Sequence, residues 1–135
     1  MTSGLYELGV QQIMGGAIDL ENDSISAMLI DTAEYTVNLS TDSAQDDIPD
    51  DAQIAEVELT GKTLDGVVFR ATDAVFPSVE TGQTVNALVI FLDDDHADTS
   101  YLIAYIDNAP SFPITTDDTN VTVVWDTGAN GIFKL

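Results

Sequence analysis

Four aspartates and the only histidine crowd into one eight-residue stretch, Asp93–Ser100 (DDDHADTS). Oxygen-rich loops of this kind bind Ca²⁺ or Mg²⁺, which makes Asp93, Asp95 and Asp98 the candidate metal ligands. The spacing does not fit an EF-hand. Counted from Asp93, the sixth position holds Asp98 where the sharp turn needs glycine, and the twelfth holds Ala104 in place of a bidentate glutamate. The plainer reading is a solvated tip with diffuse cations around it. A Ser–His–Asp relay would have to use His96, yet no G-x-S-x-G elbow accompanies it. The 24 acids could supply glycosidase-like carboxylate pairs, but no pair is singled out. The expectation is a protein that is not an enzyme and uses no cofactor.

Other motifs are equally spare. Asn22-Asp23-Ser24, Asn38-Leu39-Ser40 and Asn120-Val121-Thr122 have the form of glycan acceptors, a form that chance supplies readily in a chain rich in Asn, Ser and Thr. Asp126–Gly131 (DTGANG) contains two glycines but is followed by neither a helix nor the lysine of a phosphate cradle. Trp125 is expected in the core or at a subunit contact. The apolar tail Ile132, Phe133 and Leu135 is expected to dock. It would either fold back beside Val121–Trp125 as a last strand or lie on a neighbouring subunit.

The elements that must position these residues centre on Asn86–Asp107. Two apolar runs, Ala87–Leu92 and Tyr101–Ile106, flank the acidic tip and have the length of strands. Neither alternates cleanly, so both faces should be covered. The pattern predicts a central antiparallel hairpin in a two-layer β domain; a helical hairpin competes, but runs this short make poor helices. Before it, Thr2 or Ser3 should cap a short helix through Leu5, Leu8 and Ile13, weakened at Gly9 and stopped by Gly15-Gly16. Leu5, Leu8, Gln12 and Gly15 would form its packing face. Ile25–Ile30 reads as a strand and Glu34–Leu39 as an extended piece, while Pro49 keeps the acidic Ser40–Asp51 loop irregular. Within Gln53–Leu59, Ile54 is out of phase with Val57 and Leu59, which predicts a bulge or strand start near Ala55. Val67–Ala71, Ala74–Val79 (an edge, because of Pro77) and Val121–Trp125 complete the strands. Residues 1–135 thus read as one mainly β domain, an antiparallel sandwich or barrel with a short N-terminal helix.

Composition sets the setting. The chain is 44% hydrophobic and has no cysteine, which excludes an acidic disordered tail, a disulfide framework and thiolate chemistry. No run approaches a bilayer span, and MTSGLYELGV lacks the basic and apolar regions of a signal peptide, so folding in a cytoplasm is expected. Three Lys+Arg face 24 Asp+Glu, 18 of them Asp, for a formal net charge of −21. Such a surface repels itself across a Debye length of about 8 Å at physiological ionic strength and about 3 Å in molar salt. An Asp-rich, nearly Lys-free globular chain suits very high salt; a merely acidic mesophilic domain is the plainer alternative. Nucleic-acid binding is excluded for want of a basic stripe.

The order of segments resembles a family of small structural proteins of tailed phages and tailed archaeal viruses. It runs from Gly15-Gly16-Ala17-Ile18-Asp19 through Asp23-Ser24-Ile25, Ala27–Ile30 and Leu59–Thr63 (LTGKT) to Leu102–Asp107 (LIAYID). Val121–Trp125 (VTVVW) and the Gly131–Leu135 (GIFKL) tail close it. The chain departs from the family by its acidity and by a shortened loop before Ile54. The resemblance implies a virion component assembled in the host cytoplasm, capsid-associated as decoration, turret or spike base. A tail or neck position is the alternative. Its implied partners are further copies of itself and other virion proteins (the major capsid protein or vertex and neck proteins), with no membrane. From another class, the alternative is a halophilic cytoplasmic module that binds a ligand or cation through the 93–98 loop.

Overall fold

The aliphatic runs that dominate the sequence are the strands that dominate the fold. The structure is a computed structural model that describes residues 4–109 and 111–135. In chain order its elements are β1 (Gly4–Leu5), α1 (Glu7–Met14), β2 (Ile25–Ile30), β3 (Gln53–Glu58), β4 (Thr63–Asp65), β5 (Val68–Arg70) and β6 (Ala74–Phe76). There follow β7 (Thr84–Val85), β8 (Ala87–Leu92), β9 (Leu102–Ile106), β10 (Ile114–Thr115), β11 (Val121–Val123) and β12 (Phe133–Lys134). The protein is mainly β, its sheets are antiparallel, and among the described residues none closes on itself.

The principal sheet has the order β1-β9-β8-β2-β3. The β8–β9 hairpin is central as expected, with β2 on its other side, and every residue of β2 is buried. The mixed apolar pattern of β8 resolves into two faces. Leu88 and Ile90 join Ile25, Ala27 and Leu29 in one core cluster, and Ala87, Val89 and Phe91 join Met28 and Ile30 in another. A strand apolar on both sides is therefore covered on both. Two bulges adjust the register. Leu29 pairs with Ala55 and Ile30 with Gln53, leaving Ile54 as the extra residue where the phase break predicts it. On β9, Ile90 pairs with Ala104 and Phe91 with Leu102, so Ile103 is extra and joins Ala104 in the first cluster.

The N-terminal helix departs from expectation. Leu5 lies in β1, pairing with Ala104; the helix starts at Glu7 after Tyr6, with no side-chain cap there. Thr2 and Ser3 lie outside the described residues. The packing face is also different. Gly9 is the helix's buried residue, and a Cβ on it would stand 2.0 Å from the Leu102 carbonyl oxygen. Glycine is there so that the helix can touch the β9 bulge, where Ile103 also accepts the Tyr6 N–H at 2.9 Å. Gly15 and Gly16 (φ 83) end the helix as predicted.

Three small sheets, β10-β7, β11-β6 and β12-β5-β4, lie against the first cluster. In β11 and just beyond it, Val121, Val123 and Trp125 point inward while Thr122 and Val124 face solvent. The last strand pairs with β5 rather than with β11. The 126–131 turn carries the chain across to Gly131 (φ 55), where any Cβ would stand 2.5 Å from Val68 Cγ1. Phe133 then lies against Phe69 with ring centroids 5.1 Å apart, an aromatic contact that β11 does not offer. Among the described residues, the opposite face of the principal sheet carries no strand layer. Residues 34–39 are not a strand; with two 3₁₀ turns, Gln45–Asp47 and Asp50–Ala52, residues 32–52 lay Tyr35, Ile48 and Ala52 over the second cluster.

Candidate functional site

The acidic tip leaves β8 at Asp93, whose N–H donates to Ser24 O at 2.9 Å. Its organising residue is Asp94, which the spacing argument did not select. Ser100 Oγ donates to Asp94 Oδ1 at 2.9 Å, Thr99 Oγ1 to Oδ2 at 2.5 Å, and the His96 N–H to Oδ1 at 3.0 Å. The Thr99 hydroxyl is the chief reason that Asp94 titrates below the ordinary aspartate range, with Ser100 and His96 adding to it. Asp93 Oδ1 accepts the Asp95 N–H at 3.1 Å, while Asp95 (φ 67) and Asp98 are exposed. Two of the loop's carboxylates are thus occupied in holding its backbone. Among the described residues, no three His, Cys, Asp or Glu side chains come together as a metal site. His96 is exposed and meets the loop through its backbone. Across the sheet end, Glu56 titrates above the ordinary range, first by desolvation and then by repulsion from Asp93 and Asp95.

The four expected docking residues separate into two groups. Trp125, Ile132 and Phe133 are each 8% exposed and belong to the first cluster. Trp125 Nε1 donates to Thr72 O, and its N–H to Asp73 Oδ1, both at 3.0 Å. Leu135 is 47% exposed at the end of β12, its N–H donating to Val67 O. Between the end of β9, β11 and the 126–131 turn runs an open groove of about 630 Å³, lined by Ile106, Asn108, Thr122, Trp125 and Asn130 among others.

A buried polar chain escaped the sequence reading altogether. Tyr35 OH donates to Asp42 Oδ2 at 2.6 Å, which commits its one proton, so Tyr6 OH donates to Tyr35 OH at 2.9 Å. Asp42 Oδ2 also accepts the Asn38 N–H. Burial is the main reason that both tyrosines hold their protons well above the ordinary range, and for Tyr35 the Asp42 carboxylate adds to it. The chain of hydrogen bonds ties residues 35–42 to the start of α1. Sequence offers no signal for it, because Tyr6 and Tyr35 are 29 residues apart.

No protein-family model matches the chain, and no curated protein is significantly similar to it.

Proposed function

We propose that this chain is a structural component of a tailed-virus virion from a salt-loving host, capsid-associated as decoration, turret or spike base. It acts as a homo-oligomer among other virion proteins. What carries the reading is where the motifs behind the resemblance fall. Gly15–Asp19 is the turn that seats Ile18 in the core, Leu102–Asp107 contains β9, Val121–Trp125 supplies three inward side chains, and Gly131–Leu135 contains β12. A likeness concentrated in framework segments argues for a shared scaffold, which is what a protein that works by packing has to preserve. The finer architecture reads as a sandwich, with the small sheets as its second layer on one face of the principal sheet. The −21 charge supports the salt-loving host. Immunogold labelling of virions purified in high salt, with an antibody to this chain, tests the proposal. Regular labelling of heads is expected; finding the protein only in the soluble fraction of the cell would sink it.

A further inference from the structure

The main chain has one place where it is free to attack a side chain. An asparagine amide is open to the backbone nitrogen that follows it, most of all where that nitrogen belongs to glycine, with no Cβ in the way. Among the six asparagines, Asn130 alone precedes glycine; the others precede Asp23, Leu39, Ala87, Ala109 and Val121. The fold widens the difference. Asn22 Nδ2 donates to Asp19 Oδ2 at 2.8 Å, and the Oδ1 atoms of Asn86, Asn120 and Asn38 accept the N–H groups of Thr32, Ser78 and Ser40 at 2.9, 3.0 and 3.1 Å. Asn108 is exposed but has Ala109 behind it. Asn130 is exposed, and among the described residues neither its side chain nor the Gly131 N–H makes a hydrogen bond.

Packing keeps the reactive pair in place. Gly131 (φ 55) has no room for a Cβ, which would stand 2.5 Å from Val68 Cγ1 and 2.7 Å from Phe69 O. The glycine that admits β12 to β5 is therefore the one that leaves Asn130 open. Two features of the turn favour reaction. Asn130 and Gly131 line the open groove, so water reaches the peptide. Arg70 donates to Gly128 O at 2.7 Å, which places a cation in this turn of a chain of charge −21 and favours the anion that a deprotonated amide becomes. Asp126 is the opposing charge, with Oδ1 committed to the Gly128 N–H.

We propose that Asn130–Gly131 is a site of spontaneous modification whose isoaspartate product loosens the last strand. The Gly131 nitrogen bonds to Asn130 Cγ, the Cγ–Nδ2 bond breaks, and ammonia leaves with the amide proton, closing a cyclic imide. Water then opens either of the two imide bonds. Cleavage at Cγ gives aspartate on an unchanged backbone. Cleavage at the Asn130 carbonyl carbon gives isoaspartate, with the main chain rerouted through Cγ and one carbon longer. Each product carries a new carboxylate. The added carbon falls immediately before Gly131, where packing leaves no spare room. It therefore disturbs the bonds that follow, from Ile132 N–H to Phe69 O at 2.9 Å and from Leu135 N–H to Val67 O at 3.0 Å. The inference does not depend on the proposed function.

Ageing the full chain in molar KCl at mildly alkaline pH, followed by peptide mapping with tandem mass spectrometry, tests the site. Asn130 should convert first among the six asparagines, to a mixture of aspartate and isoaspartate. A parallel sample aged in denaturant is the control. Asn130 intact in the folded protein while it converts in denaturant, or another asparagine converting first, would overturn the site. The consequence is read by hydrogen exchange and melting of the deamidated fraction. Its reference is Asn130→Asp, which has the new charge on an ordinary backbone. The aged fraction should lose protection at the Ile132 amide and melt lower, while Asn130→Asp keeps the wild-type protection and melting temperature. Wild-type behaviour in both would overturn the loosening of β12. The same loss in both would assign it to charge and overturn the rerouted backbone as its cause.

Discussion

Gly9 and Tyr35 carry more of the fold than their residue types suggest, and each makes a measurable claim. At Gly9 the limit is space, since a methyl group would stand 2.0 Å from a backbone oxygen of β9 that cannot move without disturbing the bulge. Gly9→Ala should destabilise by about 1–3 kcal/mol in denaturant titration, as overpacking does, despite alanine's better helix propensity. A neutral or stabilising result would mean that the helix does not touch the sheet there. Tyr35→Phe strands the Tyr6 hydroxyl without its acceptor and should cost about 1–3 kcal/mol. The same pair sets an alkaline limit. Both tyrosines have raised pKa values when folded, so their contribution is complete below the unfolded value near pH 10 and is lost as pH rises above it. Wild-type unfolding midpoints should fall above about pH 10, and Tyr6→Phe/Tyr35→Phe should show a shallower fall. These contacts were hidden in the sequence because each joins residues that no local pattern relates. The Leu5–Gly15 stripe followed helix rules in a segment where Gly4 and Leu5 are strand.

Elements were legible where burial alone dictates them. β2, β8 and β9 are apolar runs of strand length buried on both faces, and the β3 bulge announces itself as a break of phase at Ile54. What hydrophobic pattern cannot give is the partner of a two-residue strand. β12 joins β5 because Gly131 and the Phe69–Phe133 contact direct it there, whereas the sequence favoured its nearest neighbour in the chain. The cover over the second cluster was equally opaque, since residues 32–52 bury Tyr35, Ile48 and Ala52 without any period. The candidate metal residues were legible as a cluster, but not the hydroxyl bonds that turn Asp94 back onto its own loop. The tail yields a paired test. Phe133→Ala, 8% exposed, should cost about 3–5 kcal/mol and lower the melting temperature of the isolated subunit. Leu135→Ala, 47% exposed, should stay within about 0.5 kcal/mol of wild type. Equal effects from the two would contradict the placement of the last strand.

At the scale of the whole molecule, charge decides the conditions under which these contacts suffice. A net −21 on 135 residues places carboxylates on every exposed turn described above, and all three cations lie at one sheet. At physiological ionic strength the repulsion reaches about 8 Å, far enough to couple neighbouring loops, and in molar salt about 3 Å, roughly one contact distance. Folding brings these charges closer than the unfolded chain does, so low salt should penalise the native state selectively. The denaturation midpoint should therefore climb steeply with KCl from low to molar concentration. Screening and water exclusion both increase with salt, so a neutral osmolyte at low ionic strength is needed to separate them. If charge is the cause, trimethylamine N-oxide should restore much less stability than KCl. Replacing exposed Asp50, Asp51, Asp98 and Asp126 with Asn should then flatten the KCl dependence by relieving the repulsion in advance. Equal stability at low and molar KCl would refute the adaptation to salt, and a four-fold Asn variant with an unchanged KCl slope would refute repulsion as its origin.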